Sequence, residues 1–142
     1  MESVYNAINN TLSKYVLIHD AARPLIKHEY INKCIESIKN YNGVCIGVKS
    51  KDTIKICNDN NEVINTTERC NTWIISTPQC FNREILLKSH KNNKLDNITD
   101  DCMLLENNNY KVKVIEGDYT NIKITTKSDL EIIKCLIDKN DI

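Results

Sequence analysis

Two of the chain's three arginines sit beside residues that can handle phosphate, and that is where chemistry is to be sought first. Arg23 closes the segment His19-Asp20-Ala21-Ala22-Arg23-Pro24, and Arg69 follows Lys51-Asp52-Thr53 across a polar turn. A guanidinium offers a planar fork of donors that suits a phosphate, which an ammonium cannot copy. The contrast is informative because Lys outnumbers Arg sixteen to three. Asp20 stands just past an apolar run, where a carboxylate can hold Mg²⁺ or a sugar hydroxyl. Without further context, Asp20 serves equally well as a helix cap and Arg23 as a solvated charge.

Four other groups join these. Thr53 and Arg69 lie at the two ends of a proposed hairpin and meet if it folds back. Thr77 ends an apolar strand in Ser76-Thr77-Pro78-Gln79, so its hydroxyl faces the crevice at the strand end. Thr99-Asp100-Asp101 opens a helix, where acids favour the dipole and where Thr99 is read as the N-cap. Lys123, in Asn121-Ile122-Lys123-Ile124-Thr125-Thr126, is read in an alternating strand, where it can balance phosphate charge during transfer or simply guard an edge. His19 reads as a packed or hydrogen-bonded residue, and His28 and His90 as surface groups on helices.

The elements that must carry these residues follow from periodicity. Residues 3–12 read as a helix, Tyr15–Ile18 as a buried parallel strand, and 28–41 as a helix stopped by Gly43. Val44–Val48 reads as the next strand. Thr53–Ile56 and Val63–Thr66 alternate around Asn58-Asp59-Asn60-Asn61, which predicts a β-hairpin arm. Trp73–Thr77 reads as a strand broken at Pro78, 82–91 as a helix, and Thr99–Glu106 as another. Lys111–Ile115 reads as a strand, 121–125 as a further extended segment, and 129–139 as a final helix with a capping box of Ser128 and Glu131. The pattern predicts one α/β domain over 1–142: a Rossmann-like, mostly parallel sheet with helices on both faces and an arm over approximately 50–72.

Composition narrows the function. The 142 residues carry 19 basic and 19 acidic groups, so net charge is zero and no electrostatic footprint for nucleic acid is visible. No run reaches the roughly 18 apolar residues of a membrane span. The N-terminus does not read as a signal peptide. Seven cysteines without a C-x-x-C pair predict free, mostly buried thiols in a reducing compartment rather than a disulfide or zinc framework.

The order of the segments is more specific than any one of them. Glu2–Ala7, Val16–Pro24, Lys51–Lys55, Arg69–Trp73, Thr77–Phe81, Thr99–Asp101 and Glu116–Thr125 together resemble the 2-C-methyl-D-erythritol 4-phosphate cytidylyltransferase family of the non-mevalonate isoprenoid pathway, over nearly the whole chain. The resemblance implies a nucleotidyltransferase that joins CTP to methylerythritol phosphate, releasing pyrophosphate, with Mg²⁺ as cofactor. It implies Lys123, Asp20 and Arg23 as catalytic residues, and Ser3, Asp20 and Lys123 at the nucleotide. It implies Arg23, Thr53, Arg69, Thr77 and Thr99 at the sugar-alcohol phosphate, and Asp20 at the metal. It also implies a cytoplasmic homodimer (plastid stroma in a eukaryote) in which the arm reaches the partner's site, with neither membrane nor nucleic acid as partner.

The family opens with a Gly-rich loop, carrying an Arg and a Lys, that wraps the CTP phosphates. The chain is expected to begin past it, lacking roughly the first 80–90 residues of a typical member and their strands. Two other readings stay open: a ribitol-5-phosphate cytidylyltransferase and a non-catalytic dimerising remnant. Ala22 and the stretch Arg69–Trp73 favour methylerythritol over ribitol.

Overall fold

The computed structural model describes residues 2–93 and 97–139. The elements in order are α1 (Glu2–Asn9), β1 (Tyr15–Ile18), α2 (His28–Ser37), β2 (Gly43–Lys49), β3 (Lys55–Cys57), β4 (Val63–Thr66), β5 (Trp73–Asn82), α3 (Arg83–Asn92), α4 (Asp101–Asn107), β6 (Val112–Glu116) and α5 (Lys127–Asp138). A four-stranded sheet has the order β1-β5-β2-β6, and β3 and β4 form a separate two-stranded ribbon. The expected α/β fold with a protruding hairpin is present.

The sheet is mixed. β2 and β6 pair in parallel, but β5 runs antiparallel to both β1 and β2. Tyr15–Ile18, read as a buried parallel strand, therefore pairs antiparallel. It is only partly buried, with Leu17 exposed. A short apolar run carries no signal of strand direction, which is set by the connections.

Two apolar layers flank the sheet. Ile8, Leu86, Leu104 and Leu105 of α1, α3 and α4 pack with Cys45 and Phe81. On the other face Tyr30, Cys34 and Ile38 pack with Val44, Ile46 and Cys80. Fully buried Phe81, Leu86 and Leu105 each contribute about 1.5–3 kcal/mol relative to exposure. Four of the seven free cysteines lie in these layers, and Cys57, Cys70 and Cys135 are exposed. Burial pushes the Cys34 thiol up to about 12 and Cys80 to about 11, so both are held as neutral thiols.

Several boundaries differ from the sequence reading, each for a local reason. Gly43 does not stop a helix; it begins β2. A Cβ there would meet Leu105 Cδ2 at 2.9 Å, so close packing against α4 is what requires glycine. β5 does not stop at Pro78 but runs through to Asn82. Proline offers no N–H to the ladder, and the register shifts there: Cys45 pairs with Gln79 while Ile46 pairs with Ser76, which leaves Thr77 and Pro78 as a bulge. Asp100, not Thr99, caps α4, its carboxylate accepting from the Met103 N–H at 3.0 Å. Thr126 and Asp129 form the capping box of α5, in place of Ser128 and Glu131. The same i, i+3 spacing fits both pairs, and the extended backbone at Thr126 decides between them. Residues 121–125 form no strand. No helix among the described residues is long and apolar enough to cross a membrane.

Candidate active site

The bulge in β5 and the end of β1 meet at one edge of the sheet, and the polar residues gather there. β1 ends opposite Gln79, so the chain emerging at His19 and Asp20 passes directly over the bulged Thr77. Thr77 Oγ1 accepts from the Asp20 backbone N–H at 2.9 Å and lies 3.0 Å from His19 Nδ1. His19 Nε2 in turn lies 3.0 Å from the Arg23 carbonyl oxygen. A turn bond from the Arg23 N–H to the Asp20 carbonyl, 2.9 Å, folds the segment back on itself.

The segment 121–124 is fastened to this turn from below. Arg23 Nη1 donates to the Asn121 carbonyl at 2.8 Å, and the Ile124 N–H donates to the Ala22 carbonyl at 2.8 Å. Asn121 is 6% exposed, and its side-chain amide donates to the Thr77 carbonyl at 2.8 Å and to Ser76 Oγ at 3.2 Å. These bonds, rather than a sheet ladder, position Lys123. Its Nζ stands 3.0 Å from Asp20 Oδ2, the oxygen that also accepts from Arg23 Nε at 3.2 Å.

Electrostatics follow from that arrangement. Burial raises the Asp20 carboxyl, but the Lys123 ammonium and Arg23 guanidinium outweigh it and hold the group below its ordinary value. One carboxylate here faces two cations, and both cations line the cavity. Both cations use Oδ2 and leave Oδ1 of Asp20 for a ligand. No group of three or more His, Cys, Asp or Glu side chains able to hold a metal is found among the described residues. One free carboxylate oxygen still fits Mg²⁺, which is held by one or two carboxylates and completed by phosphates and water.

The far wall is built by α4. Asp20, Arg23, Ser76, Thr77, Gln79, Thr99, Asp100, Asp101 and Lys123 line a cavity of about 270 Å³, with Val4, Ile18 and Ile75 as its apolar floor. Gln79 Nε2 donates to Asp100 Oδ2 at 2.8 Å, so the cap of α4 is tied to β5. His90, read as a surface group, is instead buried against Asp101 at 2.9 Å. Burial pushes the Asp101 carboxyl above its usual range, with the His90 contact opposing. The helical spacing of His90 was visible, but α4 coming to cover it was not.

Two expected residues lie apart. Ser3 is exposed on α1 and lines a neighbouring apolar groove of about 320 Å³ along β1, which shares Val4 and Ile18 with the cavity. Thr53 and Arg69 do come together, Arg69 Nη2 donating to Thr53 Oγ1 at 3.0 Å, but on the exposed arm and outside the cavity lining. Asp20, Arg23, Thr77, Thr99 and Lys123 share one cavity. Sequence reasoning missed Gln79 and Asn121 as organisers. Neither stands out in the sequence, and their part becomes legible only when burial is known.

Comparison with known proteins points to one family. The family model described as IspD, 2-C-methyl-D-erythritol 4-phosphate cytidylyltransferase, matches residues 1–139. The enzyme of that name from Alkaliphilus oremlandii is 46% identical over 142 residues, covering 94% of this chain and 60% of its own length. That from Caldanaerobacter subterraneus subsp. tengcongensis is 40% identical over 141 residues, covering 96% and 62%. The crystal structure of 4-diphosphocytidyl-2C-methyl-D-erythritol synthase from Anaerococcus prevotii superposes with a TM-score of 0.88 at 32% identity, covering 96% of this chain and 65% of that one. The chain thus spans about 60% of the length of the curated relatives it matches.

Proposed function

The chain belongs to the 2-C-methyl-D-erythritol 4-phosphate cytidylyltransferase family, and we propose that it forms the sugar-phosphate side of an enzyme that transfers the cytidylyl group of CTP to 2-C-methyl-D-erythritol 4-phosphate. A phosphate oxygen of the sugar alcohol attacks the α-phosphorus of CTP, and pyrophosphate leaves. Such a reaction asks the protein for positioning and charge neutralisation more than for covalent chemistry.

The observation that carries this reading is the convergence of Lys123, Arg23 and Asp20 at the bulged Thr77. Lys123 is the cation with freedom to act. Its side chain is 45% exposed, against 15% for Arg23, so it can leave Asp20 and follow charge that develops on the transferred phosphorus. Arg23 spends Nε and Nη1 inside the protein, and its remaining donors serve the substrate phosphate. Asp20 Oδ1 is the atom that would hold Mg²⁺, which when bound neutralises phosphate oxygens. Thr77 and Thr99 contact the sugar alcohol, and Ser3 receives the cytosine in the groove beside β1.

Thr53 and Arg69 belong to the site of a second subunit. Support comes from the arm itself, where Ile54, Ile56, Val63 and Ile64 are all exposed and need a cover that a homodimer supplies. The enzyme works in the cytoplasm, in step with its free cysteines.

The test is pyrophosphate release from CTP, methylerythritol phosphate and Mg²⁺. It is measured with this chain and with the chain joined to any in-frame sequence upstream in its gene. Turnover that requires methylerythritol phosphate is the expected result. Release only with another sugar alcohol, or none from either protein, refutes the reading.

A further inference from the structure

His19 lies beside the site without lining its cavity, yet its two ring nitrogens join two parts of it. The direction of each bond can be worked out. The Arg23 carbonyl oxygen can only accept, so His19 Nε2 must carry the proton that bridges them at 3.0 Å. In the neutral ring Nδ1 is then an acceptor, and the 3.0 Å contact to Thr77 must be filled by the threonine's own hydroxyl proton. One lone pair of Thr77 Oγ1 is already taken by the Asp20 N–H at 2.9 Å. What remains for the cavity is the second lone pair.

We propose that His19 is a positioning residue that acts through Thr77, drawing the hydroxyl proton inward so that Thr77 meets its ligand only as a hydrogen-bond acceptor. The substrate group that Thr77 can recognise is then a donor, a sugar hydroxyl, and not an ionised phosphate oxygen. This sharpens the proposed function and rests on it for the identity of the substrate, though not for the wiring itself. It also gives the second nitrogen a role: the Nε2 bond to Arg23 holds the tautomer, and so the polarity of a hydroxyl on a strand 57 residues further along the chain from Asp20.

Two substitutions separate this role from simple support of the turn. Asn places a side-chain amide near the position of Nδ1, and Gln places one near Nε2. His19→Asn keeps an acceptor for Thr77 and loses the Arg23 contact, whereas His19→Gln keeps the Arg23 contact and loses the acceptor. The expected result is a KM for methylerythritol phosphate raised about tenfold or more by His19→Gln and clearly less by His19→Asn, with the KM for CTP moving little in both. The reverse order, or equal losses, overturns the proposal. Long-range ¹⁵N–¹H NMR of the unsubstituted chain reads the tautomer without any turnover. A protonated Nε2 with a bare Nδ1 is expected, and a protonated Nδ1 overturns the proposal. If the unsubstituted protein turns over nothing, the proposed function fails and the NMR result still decides the wiring.

Discussion

The cavity and the arm hold the same kinds of residue, threonine, arginine and lysine, in opposite circumstances. At the cavity Asp20, Thr77 and Gln79 are held by residues from distant parts of the chain, with Asn121 and Gln79 buried. On the arm every residue from Lys51 to Thr66 is exposed. Its side-chain hydrogen bonds are local, Lys55 to Thr66, Asn58 to Glu62 and Arg69 to Thr53, and at its base Lys51 lies over the Tyr119 ring. A two-stranded ribbon without a packed face is marginal by itself. The cavity is thus organised by the domain's own core, and the arm leaves its apolar residues exposed.

That contrast can be broken at several points. The largest effect is expected at Lys123. Lys123→Met should lower turnover about 10²–10³-fold, as loss of a charge-stabilising donor does, with stability changed by less than about 0.5 kcal/mol because the side chain is half exposed. A variant with near-normal rates would remove Lys123 from the chemistry.

Next comes Asn121→Leu, which strips donors from the Thr77 carbonyl and from Ser76 Oγ. Urea unfolding should show a loss of about 2 kcal/mol. A smaller loss than that of any arm variant would mean that the cavity is not held from below.

On the arm, Ile64→Ser should leave the monomer's unfolding midpoint nearly unchanged yet weaken self-association about tenfold, measurable by sedimentation. Arg69→Ala should leave stability unchanged and reduce activity. Full activity in that variant would contradict a role across the proposed dimer.

The smallest effect concerns acid. Asp118 accepts from Lys27 at 2.8 Å and Tyr30 at 2.9 Å, and also from Thr120. Burial opposes its charge, but these donors outweigh it and hold its carboxyl far below the ordinary 3.8. A carboxyl lowered by folding adds stability that is complete above its ordinary value and is lost as pH falls below it. Asp118→Asn should therefore flatten the acid limb of the stability curve below about pH 4, by well under about 1 kcal/mol since the pair is partly exposed. An acid limb that keeps its slope would show that folding does not lower the Asp118 carboxyl.

Some of this was legible in the residues and some was not. The hairpin was legible because Asn58-Asp59-Asn60-Asn61 is strong turn chemistry between alternating segments, and Asn61 does take a positive φ of 63°. The grouping of Asp20, Arg23, Thr77, Thr99 and Lys123 is what the family resemblance implies, and the structure places them in one cavity. The course of β5 was not, because proline signals a break in the ladder without saying whether the strand resumes beyond it. Lys123 was placed in a strand because Ile122 and Ile124 alternate around it. The segment instead follows its bonds to Arg23 and Ala22, a constraint no local pattern contains.

The sequence by itself determined the elements, the class of fold and the roster of polar residues, since periodicity, turns and caps act over about four residues. Only the tertiary structure decided how those residues are wired. Arg23 and Asn121 are 98 positions apart, and Asn121 and Thr77 are 44 apart. Which donor meets which acceptor over such spans depends on where the strands cross. The polarity of Thr77 and the burial of His90 are therefore properties of the folded chain, set by neighbours that no stretch of sequence contains together.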